Sequence, residues 1–163
     1  MLNKLCFVIT PFGRTPKEKA QFSAVFTQII APVLSCHGYL AFRADSEPTI
    51  GDFMRSKVIP SIFNADLAIA DMTNGNANAF YELGIRHALH PCGTILMKHE
   101  DAVTPADLER YFSIRYNLSL ESLSQAKDTL YGVPAAKRGN YTLRPVCVFH
   151  SLSAVDAKEQ EIY

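Results

Sequence analysis

The chain has 163 residues and a mass of 18.1 kDa, with 48% hydrophobic and 20% charged residues. That is enough apolar material for one globular core, and a mean hydropathy of +0.02 argues against general disorder. Lys and Arg number 16 and balance 16 Asp and Glu, so the basic surplus of a protein that coats DNA or RNA is missing. No apolar run approaches the roughly 20 residues needed to span a bilayer. Met1 to Thr10 lacks the basic, apolar and small segments of a signal peptide. The chain therefore reads as a cytoplasmic protein or an excised domain of one. Residues 1–155 are expected to form one domain, and 156–163 a polar tail or linker stump.

Elements follow in chain order. Leu5 to Ile9 is a continuous apolar run, expected of a strand buried on both faces, and Thr10-Pro11-Phe12-Gly13 stops it. Pro16 stands where a helix can begin. Phe22, Val25, Phe26, Ile29, Ile30 and Val33 form a helical stripe, which Pro32 kinks or ends and Gly38 closes. Tyr39 to Arg43 predicts a second strand, Asp52 to Asn64 a second helix weakened by Pro60, and Asp66 to Asp71 a third strand. Thr73 to Asn76 is a polar turn. Ala77 to His90 predicts a helix, Thr94 to Met97 a fourth strand, and Leu118 to Tyr131 another helix. A last strand is expected at Pro145 to Phe149.

Alternating strands and helices predict an α/β fold, a doubly wound and mostly parallel five-stranded sheet with helices on both faces. Ligands of open α/β sheets sit beyond the carboxyl ends of the strands. Three segments should meet there: Pro11 to Arg14, Arg43 to Glu47, and Asp71 to Glu82.

Cys6, Cys36, Cys92 and Cys147 are widely separated, unlike the close pairs of zinc sites or the density of disulfide scaffolds, and all four are expected to be structural, reduced thiols. His87 and His90 bring no accompanying carboxylate or Cys pattern. No metal and no cofactor is expected.

The stretch from Asp71 to Gly84 is the least generic. Asn76 suits the N-cap of the following helix. Asn78, Glu82 and Arg86 recur at i, i+4, i+8, which puts them along one helical face. Gly84 in mid-helix suggests close approach by another backbone or a ligand. On spacing alone, Glu82 reads as an exposed ion pair with Arg86, and Asp71 as a strand end that holds its turn through an Asx hydrogen bond. Phe80 and Leu83 read as core.

Cys6 to Gly13, Ala65 to Thr73 and Asn76 to Ala88 together resemble the nucleoside 2-deoxyribosyltransferase-like superfamily, in particular its TIR-like branch in bacterial defence and signalling proteins. The likeness spans roughly Leu5 to Met97. It implies a flavodoxin-like fold and cleavage of an N-glycosidic bond in a nucleoside, nucleotide or NAD, by hydrolysis or by transfer. Glu82, in Tyr81-Glu82-Leu83-Gly84, occupies the position of the family's nucleophile. The turn Asn76-Ala77-Asn78-Ala79 lacks the proline usual at its second position. A carboxylate beneath the anomeric carbon stabilises an oxocarbenium-like sugar or traps it as a glycosyl ester. Asp71 is the second catalytic candidate, holding a sugar hydroxyl or sharing a proton with the leaving base, and a carboxylate beside Glu82 would raise one of the two pKa values. The substrate-binding candidates are Phe12, Gly13, Arg14, Asp45 and Asn78. The β1–α1 loop's N–H groups are expected to face an anion, with Arg14 pairing a phosphate. The expected partners are a small nucleoside or nucleotide and further copies of the chain, without membrane contact. The alternative is a non-catalytic nucleotide-sensing or assembly module of the same fold.

Overall fold

The computed structural model describes residues 4–43, 54–90 and 92–135. The expectations for Asp45, the strand at Pro145 to Phe149 and the tail from residue 156 lie outside them. Five strands, β1 (Lys4–Ile9), β2 (Tyr39–Arg43), β3 (Leu67–Asp71), β4 (Thr94–His99) and β5 (Ser113–Tyr116), form one sheet in the order β2-β1-β3-β4-β5, with every pair parallel. This is the flavodoxin-like α/β arrangement, and the chain reverses its direction of travel across the sheet between β1 and β3.

Alternation along the strands divides the core in two. Cys6, Val8, Leu67, Ile69, Ile95, Met97, Ile114 and Tyr116 face α1 (Pro16–Val25), α2 (Ala31–Cys36) and α6 (Leu120–Ala135), burying Val25, Val33, Leu34, Ala126 and Leu130. Phe7, Ile9, Ala70 and Leu96 face α3 (Ile59–Asn64) and α4 (Ala77–Leu89), burying Ile62, Ala79 and Leu83. A short α5 (Ala106–Glu109) links β4 to β5.

Pro32 neither ends nor breaks its helix. A π-helical turn, Phe26–Ile30, precedes it, and the Ala31 N–H reaches back to the Phe26 carbonyl. The wider turn makes room for a ring that cannot donate and would crowd the carbonyl four residues back. The same device recurs at Met54–Val58, just before Pro60 in α3.

Strand β5, Ser113–Tyr116, is too short for periodicity to reveal, with only Ile114 and Tyr116 turned inward. One expectation is corrected. Cys6 and Cys36 are free thiols, but Cys92 is disulfide-bonded, because separation along a chain does not govern proximity across a fold. Among the described residues no helix is long and apolar enough to cross a membrane.

The backbone approach expected at Gly84 is a second correction. The residue is exposed, and a Cβ built there would meet nothing within 4 Å. No backbone among the described residues comes close to it, and glycine there weakens the helix through its entropy. Gly84→Ala is expected to stabilise the fold by about 0.5–1 kcal/mol in equilibrium urea unfolding.

Candidate active site

The site is built on the carboxyl end of β3. Asp71 is buried, and both its oxygens are engaged: Oδ1 accepts from the Thr73 N–H at 3.0 Å and the Thr73 hydroxyl at 2.5 Å, and Oδ2 from the Tyr116 hydroxyl at 2.6 Å. Thr73 Oγ1 in turn accepts from the His99 N–H at 2.8 Å. Burial raises the Asp71 pKa above its ordinary value, while the Thr73 and Tyr116 hydrogen bonds oppose the rise. The Asx bond anticipated at the strand end is present, and the carboxylate is turned toward the α1–α6 side of the sheet with Tyr116.

The turn that follows is tight. Asn74 takes a left-handed conformation at φ 63°, and Asn76 caps α4 by accepting from the Asn78 and Ala79 N–H groups at 3.0 and 3.1 Å. Ala79, Glu82, Leu83 and Arg86 are the buried residues of α4, whereas Asn78 is exposed. Steps of four residues advance a helix by about 400°, so a stripe at i, i+4, i+8 drifts around the axis and its first member falls outside.

The ion pair between Glu82 and Arg86 is absent. Arg86 is fully buried, and its Nη1 donates to the carbonyls of Ile62 and Ala65 at 3.0 and 2.8 Å, its Nη2 to that of Gly93 at 3.1 Å. It closes the carboxyl end of α3, where unpaired carbonyls and the helix dipole favour a cation. Glu82 is 7% exposed and has no hydrogen-bond or ion-pair partner among the described residues. Burial alone pushes its pKa from 4.5 to about 7. Asp71, on the opposite side of the sheet, contributes nothing to that rise, so the structure does not bring the two carboxyls together as a coupled pair.

The β1–α1 loop meets the β3–α4 turn across a cleft of about 290 Å³ lined by Pro11, Gly13, Arg14, Glu18, Phe22 and residues 74–77. Glu82 is not among the residues lining it. Gly13 sits at φ 72°, and a Cβ there would come within 2.7 Å of the Lys19 nitrogen, so only glycine fits. Phe12 is 44% exposed and lies outside the cleft. The N–H groups of Arg14 and Thr15 in this loop are not free for an anion. Glu18 Oε2 accepts from Arg14 N–H at 2.6 Å and Thr15 N–H at 3.1 Å, while Thr15 Oγ1 accepts from the Glu18 N–H. This capping box was readable in Thr15-Pro16-Lys17-Glu18, with proline at the first helical position. Tyr116 carried no comparable cue.

No family model and no curated protein matches the chain. Among the described residues no group of three or more His, Cys, Asp or Glu has the makeup of a metal site.

Two outcomes test this geometry. Tyr116→Phe leaves a buried Asp71 oxygen without its donor and is expected to cost about 1–3 kcal/mol in urea unfolding. The folded Glu82 carboxyl titrates near 7 against 4.5 for the ordinary carboxyl, so the stability of keeping it neutral is complete below about pH 4.5 and lost as pH rises through about 7. Glu82→Gln is therefore expected to gain up to roughly 3 kcal/mol over the parent at pH 8 and almost nothing at pH 4, read as melting temperature against pH.

Proposed function

We propose that the protein cleaves an N-glycosidic bond in a nucleoside, nucleotide or NAD, with Glu82 as the nucleophile. The observation that carries this reading is the state of that side chain. A buried carboxyl without a partner is expensive to maintain, and the fold gains nothing from it that leucine or glutamine would not supply. Such a group is poised to receive a ligand's hydroxyl or a developing positive charge. In the ionised form it attacks the anomeric carbon, or stabilises the oxocarbenium-like sugar as the base departs. Water completes hydrolysis, and a second base completes transfer. Further support comes from the resemblance of Tyr81-Glu82-Leu83-Gly84 to the nucleoside 2-deoxyribosyltransferase-like motif, which also suggests a setting in bacterial defence or signalling.

Asp71 favours a second reading. Both its oxygens are committed within the protein, which suits a ligand-sensing module that performs no chemistry. Incubation with a panel of nucleosides, nucleotides and NAD separates the two. The glycosidase reading expects free base, abolished in a folded Glu82→Gln variant. Ligand recovered intact, together with a raised melting temperature, favours sensing. Because the nucleophile is the ionised form, kcat/KM is expected to rise with pH through an apparent pKa near 7. A profile that falls through the same range assigns Glu82 to proton donation instead.

A further inference from the structure

The β1–α1 loop has the outline of an anion site. It leads into a helix of 10 residues, the N–H groups of Arg14 and Thr15 converge on one point, and Gly13 lets the backbone approach closely. A carboxylate already holds that point. Besides accepting from both N–H groups, Glu18 is approached by the side-chain amide of Asn74 at 3.5 Å from the opposite wall of the cleft. The same backbone hydrogen bonds, first from Arg14 and then from Thr15, hold its carboxyl below the ordinary range, so it is charged at neutral pH.

We propose that Glu18 is a specificity-determining residue whose carboxylate fills the anion position of the loop, so that the adjoining cleft selects an uncharged, hydroxyl-bearing ligand over its phosphorylated counterpart. A phosphate entering the cleft meets a fixed negative charge and finds the two converging donors taken. A hydroxyl meets no such repulsion and still has the Arg14 side chain and the Asn74 and Asn76 amides on the cleft walls. Only the identification of that ligand as a nucleoside rests on the glycosidase reading; the exclusion of phosphate does not.

Inorganic phosphate is the first probe, titrated while the amide resonances of Arg14 and Thr15 are followed. Glu18→Gln keeps an acceptor oxygen for the cap and removes the charge, whereas Glu18→Ala empties the position. The parent is expected to show no saturable shift. Both variants are expected to bind, with the alanine variant at least about tenfold tighter than any residual binding by the parent. If Glu18→Ala fails to fold, Glu18→Gln carries the comparison. Saturable binding by the parent equal to that of the variants, or no binding by the folded variants, overturns the proposal. The second probe is a set of nucleosides and their 5′-monophosphates, read as thermal shift. The parent is expected to favour nucleosides and Glu18→Gln to narrow the ratio; a parent that prefers the monophosphates also overturns it. Absence of any nucleoside effect, with the phosphate result as expected, defeats the glycosidase reading and leaves the role of Glu18 standing.

Discussion

A carboxylate buried at the end of the third strand obliges three separate parts of the sheet to serve it. Asp71 takes its donors from Thr73, one turn on, and from Tyr116 on the far edge strand, while the backbone of His99 on the intervening strand secures Thr73. Leaving any of these groups unpaired in the interior costs more than the bond itself contributes, so the three strand ends are held in register with one another. That register sets the turn through Asn74, the cap at Asn76 and the entry angle of α4. Every functional argument about Glu82 therefore begins at a residue on the other side of the sheet.

Helix α4 then treats two ionisable side chains in opposite ways. Arg86 gives up water for three backbone carbonyls, and joins α3 to the segment before β4. Glu82, a turn earlier on the same face, gives up most of its water and gains no partner among the described residues. Arg86 keeps most of its donors paired, with Nε alone left over, whereas a buried carboxyl with no protein partner marks a place where stability was not the only requirement.

The sheet was legible because a parallel strand buried on both faces is a run of apolar residues, as β1, β3 and β4 are, and β2 on the edge is apolar through Phe42. Ser113–Tyr116 was not, since an edge strand with two inward residues has no pattern to repeat. At the site, the Asx bond of Asp71 and the cap by Asn76 followed from local chemistry that a few residues contain. The partners of Arg86 did not: carbonyls are present at every position, and a sequence cannot say which ones a guanidinium will reach. The supposed ion pair failed for the same reason. The filled anion position lay between these cases, because Thr15 and Glu18 spell a capping box whose consequence for a ligand appears only when the loop is seen folded.

The two wide turns ahead of Pro32 and Pro60 carry a consequence for how this chain can vary. One surplus residue in a turn shifts the rotational phase of all that follows by about 100°. On the far side of the first such turn, Val33 and Leu34 nevertheless lie in the same apolar cluster as Val25. Removing a single residue from Phe26–Ile30 would restore ordinary winding and leave Val33 and Leu34 facing the sheet, but it would press the proline ring against a carbonyl. Substitution within that segment is a matter of volume; the loss of its surplus residue is a matter of whether Pro32 can still be housed.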